Sequence, residues 1–217
     1  RRWYISEYVW NTWEKRRRPN SARLPVVSRM PTETTHTDQR KGFLFLGRWV
    51  SNKGIRVLLE AYRRLSPNFE DWPLIMLGDG PLRPEVERMI ARNKIEGVHL
   101  PGFVSEEERH RYTREAKWMV TPPHTKEDLG LTPLEARSVR VPCIVSEDGG
   151  VMETGGPHAL RCEPGSVESL LTCLNRAVEM EDDEYERMSN LAKEGLNAYV
   201  RPLDEYAEEY LKLLENT

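Results

Sequence analysis

The chain has 217 residues, a formal net charge of −3, 38% hydrophobic residues and 31% charged residues. This length suffices for one good core and is short for two full domains. The negative charge argues against a dedicated nucleic-acid binder, which usually carries a basic excess. No apolar run approaches the roughly 20 residues that span a bilayer, and no secretory signal pattern opens the chain. The cysteines lack CxxC spacing, so we expect free thiols in a reducing compartment.

Residues 1–41 differ in composition from the rest of the chain. Three tryptophans have the spacing of one helical face: Trp3, Trp10 and Trp13. One interpretation is an interfacial helix that places its tryptophans among lipid headgroups while Arg16, Arg17 and Arg18 meet anionic lipid. The other is a short helix that packs its aromatic side chains on this domain or on a neighbour. Residues 19–40 are rich in proline and threonine and are predicted to be an extended linker or an edge strand.

From residue 42 onward, short apolar runs alternate with amphipathic segments. The apolar runs predict six buried strands, at Phe43–Leu46, Leu74–Leu77, Val98–Leu100, Trp118–Val120, Val141–Val145 and Ala159–Cys162. Helices are predicted at 55–65, around Val86 to Ile90, after the capping box of Ser105 and Glu108, at about 132–139, over 167–178, and at about 183–199 and 203–215.

This alternation is typical of an α/β fold with a Rossmann-like, doubly wound parallel sheet of about six strands and helices on both faces. We therefore divide the chain into an aromatic and basic N-terminal segment with a linker (1–41), one Rossmann-like domain (42–200) and a C-terminal helix (201–217). In such a sheet, ligands bind at the carboxyl ends of the strands. Five successive predicted strand ends carry glycine or charge: Gly47-Arg48, Gly78-Asp79-Gly80, Gly102-Phe103-Val104, Glu127 to Leu131, and Asp148-Gly149-Gly150.

Two cations, Arg48 and Lys53, follow the first predicted strand. A guanidinium and an ammonium that converge there would neutralise a diphosphate, although two surface cations in a loop are the alternative interpretation. The histidines and cysteines have no metal-ligand spacing, so no metal site is predicted. His124 is the histidine best placed to contact a ligand, because it lies in the loop just before Glu127.

The stretch from Thr125 to Ala136 runs from a polar loop into the start of a helix. Thr132 and Glu135 fit a capping box, with Pro133 at the first helical position. Free backbone N–H groups at a helix start beside Gly130 also provide a place for an anion. If the helix begins nearer Gly130, the cap does not form and Glu135 is available to a ligand.

Five motifs resemble, in order and spacing, the C-terminal half of a family 4 glycosyltransferase over about residues 42–178. They are Gly47-Arg48-x4-Lys53-Gly54, Gly78-Asp79-Gly80-Pro81, Pro101-Gly102-Phe103-Val104-Ser105, Glu127-x7-Glu135-Ala136 and Gly149-Gly150-x2-Glu153. Members of this family are retaining, metal-independent enzymes of the GT-B fold. The resemblance implies a donor-binding half of such an enzyme, which takes a hexose-type sugar from a UDP- or GDP-linked donor and needs no further cofactor.

The resemblance also implies roles for single residues. Arg48 and Lys53 would hold and stabilise the leaving diphosphate, and Glu127 would bind hydroxyls of the donor sugar, so these three are the expected catalytic residues. Glu135 would bind the ribose. The other expected substrate-binding positions are Gly47, Gly78, Phe103, Val104, His124, Leu129, Gly130 and Leu131.

About 40 residues upstream of the predicted domain are too few to form the acceptor-binding domain of a GT-B enzyme. We therefore expect either the C-terminal piece of a longer enzyme or a half-enzyme that needs a partner chain, and an isolated chain that is inactive. Rival interpretations are a catalytically silent nucleotide-sugar-binding module and a nucleotide-sugar 2-epimerase of the same fold. We expect a cytoplasmic protein, with peripheral membrane contact if residues 1–41 form an interfacial helix.

Overall fold

The computed structural model describes residues 2–24, 30–65, 68–125 and 127–215. Within these ranges the strands are β1 (Arg2–Tyr4), β2 (Ser21–Arg23), β3 (Lys41–Leu46), β4 (Leu74–Leu77), β5 (Val98–Gly102), β6 (Ala116–Thr121), β7 (Cys143–Ser146) and β8 (Leu160–Cys162). The helices are α1 (Glu7–Trp13), α2 (Ile55–Leu65), α3 (Arg83–Asn93), α4 (Glu106–Glu115), α5 (Leu131–Ser138), α6 (Gly149–Gly155), α7 (Val167–Val178), α8 (Asp182–Leu191) and α9 (Leu203–Glu215). Short 3₁₀ turns lie at Thr37–Gln39, Ser51–Lys53 and Leu196–Ala198.

Strands β3 to β8 form one parallel sheet in the order β5-β4-β3-β6-β7-β8. The chain moves outward from β3 through β4 and β5, and then crosses back to place β6 on the other side of β3. The strand order therefore reverses between β3 and β6, which is where doubly wound sheets bind their ligands. The predicted Rossmann-like sheet of six parallel strands is confirmed, and the loops after β3 and β6 lie side by side.

The core consists of two apolar layers, one on each face of this sheet. Phe43 and Phe45 of β3 pack in the layer with Leu58 of α2 and Leu174 of α7. Leu44, between them, packs in the opposite layer with residues that include Ala136 of α5. Successive side chains of a strand point to opposite faces, so a strand buried on both faces is apolar throughout. This explains why the continuous apolar runs predicted the strands correctly.

Helix α6 (Gly149–Gly155) was not predicted from the sequence. It follows directly after β7, the fifth of the predicted strands. Two glycines, Gly149 and Gly150, open this helix although glycine is a poor helix former. A Cβ atom at Gly150 would lie 2.1 Å from the carbonyl oxygen of Asp128. The glycine is therefore required by close contact with the loop before α5, which periodicity alone does not reveal.

Two other predicted elements have different bounds. The strand predicted from Val141 begins at Cys143, because Val141 and Pro142 still belong to the connection from α5. The helix predicted over 183–199 ends at Leu191 and is followed by the short turn at Leu196–Ala198. Part of the predicted extended segment 19–40 forms β2, whereas residues 25–29 lie outside the described ranges. The division into three parts at residues 41 and 200 stays a prediction.

The three tryptophans near the N-terminus do not share a helical face, so that prediction is wrong. Trp3 lies in β1, which pairs in parallel with β2. Trp10 of α1 is buried and stacks on Tyr4 with 5.8 Å between ring centroids, whereas Trp13 is 75% exposed. Ser6 caps α1, so the helix is too short to include Trp3. None of the helices in the described part of the chain has the length and apolar character that crossing a membrane requires.

Candidate functional site

The loops after β3 and β6 contact each other at the point where the strand order reverses. The backbone N–H of His124 donates a hydrogen bond to the carbonyl oxygen of Asn52 at 3.1 Å. A Cβ atom at Gly54 would lie 1.8 Å from the carbonyl oxygen of Pro122, and Gly54 has a φ of 73°. Glycine is thus needed at this position for both contact and backbone conformation. The two loops together form the edge on which the predicted site residues lie.

Lys53 and Glu127, 74 positions apart in the chain, form an ion pair across these two loops. Their side chains are 21% and 19% exposed, so the pair is partly shielded from water. Oε2 of Glu127 is buried and accepts no hydrogen bond from the described residues. Arg48, on the same loop as Lys53, is exposed and has no ion-pair partner within the described ranges. The structure therefore joins two of the three expected catalytic residues and leaves the third as a free cation nearby.

Helix α5 begins at Leu131 with Gly130 as its N-cap, so the capping box predicted for Thr132 and Glu135 is wrong. Gly130 has a φ of 82°, a conformation that glycine adopts readily and that lets the helix start earlier. Pro133 is therefore in the first turn, where its missing N–H leaves no helical bond unmade. The Thr132 hydroxyl lies 3.1 Å from that of Thr121 at the end of β6. The helix start thus faces the ligand edge with uncapped N–H groups.

Helix α6 holds the loop before α5 through its carbonyl groups. The carbonyl oxygen of Glu127 accepts a hydrogen bond from the N–H of Gly150 at 2.6 Å. The carbonyl oxygen of Leu129 accepts one from the buried hydroxyl of Thr154 at 2.9 Å. In a trans peptide the C=O and the following N–H point in opposite directions. The N–H groups of Asp128 and Gly130 are therefore directed away from α6.

Glu135, in α5, is 5% exposed and pairs with Arg109 of α4. Its Oε2 is buried and has no hydrogen-bond donor among the described residues. Burial raises the pKa of Glu135, and the hydrogen bond and charge of Arg109 oppose that rise. Sequence reasoning missed Arg109, because nothing in the spacing links it to a glutamate 26 positions later. The capping box of Ser105 and Glu108, from which the start of this helix was predicted, is confirmed.

The remaining predicted positions are spread along the same edge of the sheet. A Cβ atom at Gly78 would lie 2.0 Å from the carbonyl oxygen of Gly47, so these glycines permit contact between the ends of β3 and β4. Phe103 is 82% exposed and follows β5, the outermost strand on that side. Val104 packs against the apolar layer that contains Leu44. His124 and Leu131 are exposed, and Leu129 is buried.

Comparison with known proteins identifies the family and the fold of the chain. The family description "Glycosyl transferases group 1" matches residues 28–195. The chain is 29% identical over 187 residues to the 2-deoxystreptamine N-acetyl-D-glucosaminyltransferase of Niallia circulans. That alignment covers 84% of this chain and 44% of the relative, so the chain spans less than half of the relative's length.

Two solved structures share the fold at low sequence identity. Anabaena HepE in complex with UDP and glucose has a TM-score of 0.82 at 15% identity, covering 99% of this chain and 62% of that one. The pneumococcal O-GlcNAc transferase GtfA in complex with UDP and GlcNAc has a TM-score of 0.79 at 16% identity, covering 99% and 44%. With the family match over most of its length, the chain belongs to the group 1 glycosyl transferases (family 4) and has the fold of one Rossmann-like half of a GT-B enzyme.

Proposed function

We propose that this chain is the donor-binding half of a retaining glycosyltransferase that transfers a hexose-type sugar from a nucleoside diphosphate sugar without a metal ion. The observation that carries the proposal is that a loop with two cations and the loop that leads into the uncapped start of α5 lie side by side where the strand order reverses. Arg48 and Lys53 lie on one loop there, and the uncapped start of α5 lies on the next. This combination suits a diphosphate.

Departure of a nucleoside diphosphate from the anomeric carbon develops negative charge on its phosphate oxygens. Lys53, Arg48 and the N–H groups at the start of α5 would stabilise that charge from fixed positions. In the structure the ammonium of Lys53 is paired with Glu127. The incoming diphosphate competes for Lys53, and the released carboxylate of Glu127 then accepts hydrogen bonds from hydroxyls of the donor sugar.

Glu135 binds the ribose in this proposal. An ionised carboxylate accepts hydrogen bonds from two neighbouring hydroxyls, whereas a protonated carboxyl offers fewer acceptor sites. Arg109 supports the ionised form against the effect of burial. Backbone atoms of Phe103 and Val104 contact the base, and those of Leu129, Gly130 and Leu131 contact the sugar and phosphate. UDP accompanies both HepE and GtfA, which supports UDP as the first nucleotide to test.

We further propose that the acceptor site lies on a second domain or a partner chain. Strands β1 and β2 form a parallel pair, and no third strand joins them within the described part of the chain. Such pairs are marginal alone, because parallel strands are normally buried within larger sheets. Trp3, Ile5 and Leu211 are also exposed. An additional domain packed here would bury these apolar groups and extend the small sheet.

The test is a calorimetric titration of the chain with UDP, GDP and ADP. We expect at least one nucleotide to bind more tightly than millimolar, and Lys53→Ala to weaken that binding about 10- to 100-fold through loss of a charged contact. Lys41→Ala is the matched control. Lys41 lies at the start of β3, at the end of the strand opposite to the loop that carries Lys53, and it pairs with Asp71 at the surface. Absence of binding, together with no effect of Lys53→Ala, contradicts the proposal.

A second assay separates an enzyme from a silent nucleotide-sugar-binding module. Donor hydrolysis and sugar transfer are measured with the full-length gene product, in parallel with the 217-residue chain. We expect activity from the full-length product, assayed with its partner chain if it has one, and none from the 217-residue chain alone, because the acceptor site is assigned to a second domain or a partner chain. Nucleotide binding without any turnover by the full-length product favours the silent module.

A further inference from the structure

The start of helix α1 is fastened to the loop that precedes α5. Ser6, the N-cap of α1, is fully buried. Its hydroxyl donates a hydrogen bond to the carbonyl oxygen of Asp128 at 2.5 Å and accepts one from the N–H of Val9 at 3.1 Å. The first contact joins residues 122 positions apart and connects the N-terminal segment to the proposed donor site.

A carboxylate on α6 holds the same helix start in place. Glu153 accepts hydrogen bonds from the backbone N–H of Glu7 at 3.0 Å and of Tyr8 at 2.5 Å. The hydroxyl of Tyr199 donates a further hydrogen bond to this carboxylate at 3.1 Å. The first turn of α1 is therefore anchored independently of Ser6. This anchor sets the distance at which the Ser6 hydroxyl meets the loop.

With Ser6 included, three successive carbonyl groups of the loop are held from one side. Those of Glu127, Asp128 and Leu129 accept hydrogen bonds from Gly150, Ser6 and Thr154 respectively. Because C=O and the next N–H of a trans peptide are antiparallel, three successive N–H groups point to the other side. They are the N–H groups of Asp128, Leu129 and Gly130, and successive N–H groups on one side of a chain form an anion-binding concavity.

We propose that Ser6 is a positioning residue for donor binding. It orients the peptide between Asp128 and Leu129 so that the N–H of Leu129 faces the phosphate. The inference rests on the proposed function, since it presupposes that a nucleotide sugar occupies this edge of the sheet. It assigns a role in that site to the N-terminal segment, which none of the five sequence motifs includes.

The choice of residue type agrees with this role. A helix cap needs only an acceptor oxygen, and Asp and Asn cap as well as Ser does. Ser166, the N-cap of α7, accepts a hydrogen bond from the N–H of Ser169, and its hydroxyl donates none to the loop among the described residues. Ser6 uses its lone pairs for the cap and its proton for Asp128. Aspartate could supply the cap and could not supply the proton.

The experiment is a ¹H–¹⁵N NMR titration of the 217-residue chain with UDP and, separately, with uridine, a method that also measures millimolar affinities. We expect Ser6→Ala to weaken UDP binding about tenfold, because one hydrogen bond to a charged group is misaligned. Uridine binding should be unchanged, and the Leu129 amide should lose its UDP-induced shift. Ser6→Thr keeps the hydroxyl and should bind UDP within about twofold of the parent chain.

Two further variants separate positioning from helix stability. Ser6→Asp keeps a capping group and lacks the proton, so we expect it to weaken UDP binding at least as much as Ser6→Ala does. Ser166→Ala removes a matched cap whose hydroxyl makes no hydrogen bond to the loop among the described residues, and it should leave UDP binding unchanged. Equal loss of UDP and uridine binding in Ser6→Ala and Ser6→Asp overturns the inference, as does parent-like UDP affinity in both variants.

The result also distinguishes this inference from the proposed function. If the parent chain binds no nucleotide, the proposed function fails and the inference fails with it. If Lys53→Ala weakens UDP binding while Ser6→Ala and Ser6→Asp do not, the donor site stands and only the role of Ser6 is overturned.

Discussion

The N-terminal segment (residues 2–24) and the sheet domain (β3 to α8) are held together by different forces. In the sheet domain, fully buried apolar residues fill two continuous layers, with Leu58 and Trp118 on one face of the sheet and Met119 on the other. In the N-terminal segment only Tyr4 and Trp10 are buried apolar residues. Its other buried side chains are polar and hydrogen-bonded, as in Ser6 and Glu14.

This difference has a consequence for stability and for function. Apolar layers stabilise a whole domain at once, because burial is non-directional and cooperative. Single polar contacts are directional, and a segment that depends on them can open locally while the domain stays folded. If Ser6 orients the loop that precedes α5, the N-terminal segment controls the geometry of the proposed donor site, although that site lies on the sheet domain.

The largest effect on the free energy of unfolding should come from replacing a buried tryptophan of the sheet domain. Replacing the buried tryptophan of the N-terminal segment is the matched comparison. Trp118→Ala removes a fully buried side chain that packs on Tyr185 at 5.9 Å between ring centroids. We expect it to lower the free energy of unfolding by about 4 kcal/mol. Trp10→Ala should instead release the N-terminal segment and leave the midpoint of the main denaturant transition unchanged. Circular dichroism and NMR spectra recorded across a urea titration distinguish the two outcomes.

Trp13→Ala is the control for both variants. Its side chain is 75% exposed, so we expect a change within about 0.5 kcal/mol. If Trp10→Ala and Trp118→Ala lower the midpoint of the same urea transition by the same amount, the N-terminal segment unfolds together with the sheet domain and does not open locally.

The ion pair of Glu135 should give a smaller, pH-dependent effect within the sheet domain. Arg109→Met removes the partner of a buried carboxylate, and we expect a loss of about 2 kcal/mol at about pH 8. Burial already raises the pKa of Glu135 above its usual value of 4.5, and removal of Arg109 raises it further. The loss therefore shrinks as the pH falls and Glu135 becomes protonated, since a neutral carboxyl is buried at little cost.

Two other ionisable side chains face Glu135 and act in opposite directions: His110 lowers the pKa of Glu135 and Glu106 raises it. Urea unfolding at several pH values measures the effect. Arg111→Met is the control on the same helix, because Arg111 pairs with the exposed Glu115 and should change stability by less than about 0.5 kcal/mol. A loss that stays constant with pH argues against a buried, ionised Glu135.

Acid should loosen the N-terminal segment before the sheet domain. Burial would raise the pKa of Glu14, but hydrogen bonds from Ser21, from the indole of Trp10 and from the backbone N–H of Arg18 lower it to about 2. A lowered pKa stabilises the folded segment above the usual value of 4.5, and this stabilisation is lost as the pH falls from 4.5 towards about 2. The indole N–H resonance of Trp10 reports the change.

Glu14→Gln provides the matching control. It removes the titrating group, so the resonance of Trp10 should no longer depend on pH in that window. Loss of sheet-domain signals at the same pH as the Trp10 signal contradicts local opening.

The smallest effect should be the reaction of the cysteines with a thiol reagent. All three cysteines belong to the sheet domain. Burial raises the pKa of Cys143 and of Cys162 to about 12, and it raises that of Cys173 as well. Because the thiolate is the reactive form, we expect almost no reaction of the folded chain with a thiol reagent. Trp10→Ala should leave these thiols protected, whereas Trp118→Ala should expose them. Fast reaction in Trp10→Ala shows that the two regions open together.

The sequence alone determined the parallel sheet, most of the helices and the edge on which the site lies. Each strand of the sheet is buried on both faces, so its apolar run is visible locally, and helices such as α2 and α7 show their apolar face at regular spacing. The glycines and charges that follow those strands marked the ligand edge, because parallel strands end on the same side.

Only the tertiary structure decided which side chains meet. The pairs Lys53 with Glu127 and Arg109 with Glu135, and the contact of Ser6 with Asp128, join elements that are distant in the chain. Polar contacts of this kind depend on how folded elements approach one another and leave no periodic pattern in the sequence. The start of α5 at Leu131 also depends on tertiary contacts. It is set by Gly130 and by the preceding loop, which α6 holds in place, and not by the local capping pattern at Thr132.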